Sequence, residues 1–70
     1  MKRVSVESSS IASVGYDPEI STLEVEFRNT GCYQYFAVPH HILENLMEAE
    51  SKGAYLNAHI KTRFPSKRIS

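Results

Sequence analysis

Two tyrosines, Tyr33 and Tyr35, stand two apart in the stretch Gly31-Cys32-Tyr33-Gln34-Tyr35-Phe36-Ala37-Val38-Pro39. On a strand, that spacing puts both rings on one face. Aromatics so placed stack bases in single-strand-binding sheets, at about 1–3 kcal/mol per base. The competing use is packing under a helical layer with the hydroxyls at the rim. A second group is basic: Lys52, Lys61, Arg63, Lys67 and Arg68, with Phe64 and His59 interleaved. Cations beside rings suit a phosphate backbone with stacking surfaces, against the alternative of a solvated, fraying tail.

Other reactive types lack the company their chemistry needs. His40 and His41 are adjacent and His59 is distant. Zinc needs three or four convergent ligands, so no metal is expected. Cys32 is the single cysteine; no base and orienting partner are marked for it, and it reads as a structural thiol in a reduced, cytoplasmic setting. Glu24 and Glu26 share one side of a strand and read as a solvated face. Gly15, Gly31 and Gly53 stand alone, so there is no phosphate loop. With 70 residues there is little room for a catalytic pocket. Neither an enzyme nor a bound cofactor is expected.

Charge is where the composition speaks. Eight basic residues balance eight acidic ones, yet residues 1–50 carry −5 and residues 51–70 carry +5. The molecule is two-sided, which hints at a polyanion-facing end. No apolar run approaches a membrane span, and Met1-Lys2-Arg3 leads into no apolar leader segment.

The elements that must position these residues follow from periodicity. Ile11 to Tyr16 is a first strand, closed by the turn signal Asp17-Pro18. Leu23-Glu24-Val25-Glu26-Phe27-Arg28 alternates apolar and charged residues, marking a half-buried antiparallel strand. A loop over 29–31 closed by a left-handed Gly31 then leads into a third strand, Cys32 to Val38. That loop sets Phe27 opposite Tyr33, Val25 opposite Tyr35 and Leu23 opposite Ala37, so both tyrosines share the apolar face. Ala12, Val14 and Tyr16 are expected on the same face. Glu24, Glu26, Gln34 and Phe36 fall on the other.

Pro39 opens a helix with the stripe Ile42, Leu43, Leu46, Met47. Ser51 is a candidate N-cap for a second, with the stripe Tyr55, Leu56, His59, Ile60. The expected fold is α+β: a three-stranded antiparallel β-meander followed by two short helices packed on one face. Val4 and Val6 are candidates for an extra edge strand. One domain spans 1–70, with residues 4–65 as the ordered core and 66–70 as a basic tail.

These residues resemble the KTSC domain. Ser10-Ile11-Ala12-Ser13-Val14-Gly15-Tyr16-Asp17-Pro18 followed by Leu23-Glu24-Val25-Glu26-Phe27 is similar to the opening of that family. Tyr33-Gln34-Tyr35 followed by Val38-Pro39 matches its Tyr-x-Tyr and Val-Pro pattern. Ser51-Lys52-Gly53-Ala54-Tyr55-Leu56-Asn57 is similar to its Ser-x-Gly-x-Tyr-Phe-Asn ending, with Leu56 in place of the usual Phe. The resemblance runs over about residues 4 to 65. Because the family takes its name from a C-terminal appendage of some lysyl-tRNA synthetases, the resemblance implies RNA or tRNA as a partner. It assigns no catalytic residue, so none is carried over.

The expected function is a non-catalytic binding module that holds RNA through Lys52, Lys61, Arg63, Phe64, Lys67 and Arg68, with Tyr33 and Tyr35 mainly structural. The alternative is a protein-interaction or self-assembly module, a homodimer included, that uses the face carrying Glu24, Glu26, Gln34 and Phe36.

Overall fold

The computed structural model describes residues 3–70; Met1 and Lys2, the start of the basic N-terminus, lie outside them. Five strands form one antiparallel sheet in sequential order. They are β1 (Arg3–Ser5), β2 (Ile11–Asp17), β3 (Thr22–Phe27), β4 (Gly31–Tyr35) and β5 (Ser66–Arg68). Between β4 and β5 come α1 (His40–Glu48) and α2 (Lys52–Tyr55), the latter running on into a π-helical turn, Leu56–Ile60. The architecture is α+β, but the sheet has five strands instead of three.

Both added strands are edges. Val4 pairs with Val14 in β1, as its β-favouring type allowed. The stretch 66–70, expected to fray, instead supplies β5: Lys67 pairs with Gln34 and Arg68 with Tyr33. Beyond that ladder, the Ile69 N–H donates to the Cys32 carbonyl at 2.8 Å, and the Cys32 N–H donates to the Ser70 carbonyl at 3.2 Å. A polar, charged segment becomes a strand because β4 would otherwise leave a row of backbone groups unpaired at the sheet's edge.

The β3–β4 register differs from the expected one by two residues. Val25 faces Tyr33, Leu23 faces Tyr35 and Phe27 faces Gly31, so the loop is 28–30. Gly31 does adopt positive φ, at 101°, but as the first residue of β4. A slip of two preserves which face each side chain takes, whereas a slip of one would have inverted it. Tyr33 and Tyr35 therefore remain on the inner face.

In β2 the inner residues are Ile11, Val14 and Tyr16. Ile11 pairs with Phe27 and Ser13 with Glu26, which leaves Ala12 as the extra residue of a β-bulge. The bulge puts the larger Ile11, and not Ala12, into the core. Nor does β4 reach Val38. At Ala37 the backbone enters the left-handed region at φ 59° and turns the chain. The Phe36 N–H then donates to the Pro65 carbonyl and the Val38 N–H to the Ser21 carbonyl, both at 2.9 Å.

The helices cover the inner face. Leu46, Leu56 and Ile60 are buried against Ile11, Val14, Leu23, Val25, Tyr35 and Val38. Ser51 caps α2, its hydroxyl accepting from the Ala54 N–H at 3.2 Å. His59, placed in the apolar stripe by periodicity, is exposed and packs on the Tyr55 ring instead, with centroids 4.6 Å apart.

The outer face is a polar network and not a solvated one. Glu24 is only 9% exposed. Its carboxylate accepts from Gln34 Nε2 at 3.1 Å and pairs with Arg3 Nε at 3.2 Å. Glu26 accepts from the Ser13 hydroxyl at 2.9 Å, and Arg3 Nη1 donates to the buried Cys32 Sγ at 2.9 Å. Arg3, in a strand the charge pattern alone does not reveal, is the group that makes burial of Glu24 tolerable.

Candidate functional site

The β3–β4 hairpin end of the sheet and the second helix diverge around a cleft of about 350 Å³. Its walls come from several elements. Phe27, Tyr33 and Tyr35 contribute rings from the inner face of β3 and β4. Asn29 and Thr30 come from the turn between those strands, Ser10 from the loop before β2 and Ser66 from the start of β5. Gly53, Asn57 and Lys61 close the helical side.

The local sequence explains this convergence. Alternation in β3 and β4 sends Phe27, Tyr33 and Tyr35 to one face, and register makes Phe27 and Tyr33 diagonal neighbours. Their rings meet edge to face, with centroids 5.6 Å apart and planes at 79°. On the helical side, Gly53, Asn57 and Lys61 recur at every fourth residue. The π-helical turn widens the backbone there, the Lys61 N–H donating to the Leu56 carbonyl five residues back at 2.8 Å. Such turns are frequent at functional sites. Gly53 permits close approach of the helix to the β1–β2 loop, because a Cβ there would overlap the Ser10 hydroxyl.

Tyr35 is 3% exposed, so its ring belongs to the core even as it forms the cleft's floor. Burial, and to a lesser degree the neighbouring Tyr33, push its phenol above the ordinary range. It is neutral at physiological pH and offers an O–H donor. Among the described residues, Lys61 is the one charged residue in the lining.

The expected basic group is thus dispersed. Lys61 alone meets the two tyrosines in the cleft. Lys52 turns back, its Nζ donating to the Ala49 carbonyl at the end of α1 at 3.3 Å. Phe64 is half-buried against the core and does not line the cleft. Arg63 is exposed in the turn after Ile60. Lys67 and Arg68 are successive residues of β5 and face opposite sides of the sheet. Lys67 stands beside Gln34 on the outer face and Arg68 beside Tyr33 on the inner one, Arg68 Nε donating to the Ser70 carbonyl at 3.0 Å.

Sequence reasoning passed over Ser10, Asn29, Thr30 and Asn57 as site residues. Asn57 carried a signal, being the last residue of the Ser51–Asn57 pattern. The others became visible only with the turn folded against the helix. Among the described residues, no three His, Cys, Asp or Glu side chains converge as a metal site would require. His40 instead lies 3.4 Å from Glu44.

Comparison with known proteins places these features in a wider setting. The family model of the KTSC domain matches residues 7–64. An uncharacterised protein of Stutzerimonas stutzeri is 51% identical over 57 residues, covering 81% of this chain and 80% of the relative. A lysine–tRNA ligase of Nostoc punctiforme is 38% identical over 64 residues, which cover 91% of this chain but 11% of that protein. The crystal structure of a KTSC domain protein from Yersinia pestis superposes with a TM-score of 0.96 at 43% identity, covering 99% of this chain and 97% of that one.

Proposed function

The chain belongs to the KTSC domain family, and we propose that it works as a non-catalytic module that binds RNA in the cleft between the β3–β4 hairpin and the second helix. One observation carries this reading: Tyr33 and Tyr35, Asn57 and Lys61, from distant parts of the sequence, line a single cleft. The partly exposed Tyr33 ring can stack on a base above the buried Tyr35, a carboxamide bonds a base edge, and an ammonium neutralises a phosphate. The likeness to a short segment of lysine–tRNA ligases supports RNA as the polyanion. The sheet's outer face supports it too, since Glu24, Gln34 and Arg3 already pair with one another there and leave less for a protein partner to bond.

Fluorescence anisotropy with labelled single-stranded RNA across a salt series tests the proposal. Binding should weaken linearly in log K against log salt, by about 0.7 per phosphate neutralised. Lys61→Ala should weaken it while leaving the melting temperature in place, because Lys61 is exposed. Absence of binding at low salt, or binding indifferent to salt, would overturn the reading.

A further inference from the structure

We propose that the cleft holds one nucleotide unit, a single base with its phosphate, and so recognises an unpaired RNA residue and not a run of backbone; this rests on the RNA reading above. Size is the first argument. A volume of about 350 Å³ sits at the small end of the roughly 300–1,000 Å³ range of ligand pockets. That suits one nucleotide better than a stacked series.

Charge gives the second argument. Among the described residues, Lys61 is alone in bringing charge to the lining. An ammonium is a point charge with three donors, suited to one phosphate, whereas a backbone track needs a row of cations. The structure breaks up the row suggested by the sequence. Lys52 is bonded to the Ala49 carbonyl, Lys67 lies on the far side of the sheet, and Arg68, on the inner face beside Tyr33, is bonded to the Ser70 carbonyl and does not line the cleft.

The third argument is the pairing of groups. Asn29 and Asn57 approach from opposite walls, one on the hairpin turn and one on the helix. Each carboxamide offers a donor and an acceptor, the combination a base edge presents. The perpendicular rings of Phe27 and Tyr33 form a corner in which a flat group lies on one ring and abuts the other. Base edge, base face and phosphate each have a counterpart in the lining: the two carboxamides, the ring corner and the single ammonium.

The test titrates the full chain with AMP, GMP, CMP and UMP, and with RNA oligomers of increasing length, following backbone amide resonances. Mononucleotides should saturate the site and shift Tyr33, Asn57 and Lys61. Affinity should level off beyond the dinucleotide, with a salt slope of about −0.7, the value for one phosphate on a single strand. Lys61→Ala should weaken all four mononucleotides alike, by about tenfold, as loss of one charge-assisted bond implies. Asn57→Ala, at an exposed helical position, should compress the differences among the four bases.

Long oligomers binding with a steep salt slope while mononucleotides do not would overturn the inference and leave the RNA reading standing. Mononucleotides binding while oligomers are excluded would retain the one-nucleotide site and overturn RNA in favour of a free nucleotide. No binding by any of these probes would overturn both.

Discussion

Replacing Gly31 by alanine tests the corrected hairpin and the fifth strand together. Gly31 holds φ at 101°, a region that L side chains rarely adopt, and a Cβ there would overlap the Ser70 carbonyl oxygen. The conformational cost is about 1–3 kcal/mol. Clearing the overlap requires the end of the chain to lift. That would sacrifice the Cys32–Ser70 and Ile69–Cys32 hydrogen bonds, at about 0.5–1.5 kcal/mol each. Together these give a loss of about 2–6 kcal/mol, or a fall of roughly 10–50 °C in a domain of this size. Thermal and urea unfolding of Gly31→Ala should show it. The same substitution in a chain shortened to end at Arg68 should cost at least about 1 kcal/mol less, since the overlap is gone and only backbone strain remains. Equal costs in the two backgrounds would mean that Ser70 does not lie over Gly31. A cost near zero in the full chain would mean that the glycine is not held at positive φ, and the register argument would fall with it.

Tyr35→Ala should cost about 3 kcal/mol or more in chemical denaturation, as deletion of a buried aromatic, whereas Tyr35→Phe keeps the ring and should stay within about 1 kcal/mol near neutral pH. Because burial raises the Tyr35 pKa in the folded state, its contribution is complete below about pH 10 and is lost as pH rises above that value. Urea midpoints should therefore fall less steeply with alkaline pH in Tyr35→Phe than in the parent, and parallel curves would refute the assignment. Phe64→Ala should cost about 2 kcal/mol, less than a fully buried phenylalanine, while exposed Arg63→Ala stays within about 0.5 kcal/mol; melting temperatures that reversed this order would place Phe64 outside the core. Gly53→Ala trades up to about 1 kcal/mol of helix propensity against the contact with the Ser10 hydroxyl. The alanine should therefore be more favourable in a Ser10→Ala background than in the parent, and a double-mutant cycle in urea would read the difference.

What the sequence determined by itself is what local periodicity and turn chemistry encode. Alternation in Leu23–Phe27 settled the inner face of β3. Because a slip of two conserves faces, Tyr33 and Tyr35 were placed correctly even with the wrong cross-strand partners. Ser51 as a cap and the apolar positions Leu46, Leu56 and Ile60 were legible for the same reason, since each depends on neighbours within one or two turns. The fifth strand was not legible. Ser66–Arg68 has no strand-like pattern and pairs only because β4 presents an open edge to it. The burial of Glu24 was hidden likewise, depending on Arg3 arriving through β1 from the other end of that half of the chain. The basic residues show the limit most clearly. Composition could count five cations near the C-terminus, but a helix end, a turn and the two faces of one strand sent them in different directions. Only the tertiary structure brought Asn57 and Lys61, neighbours on one helical face, to the tyrosines, because a cleft is made by surfaces that meet in space and not only by residues that are neighbours along the chain.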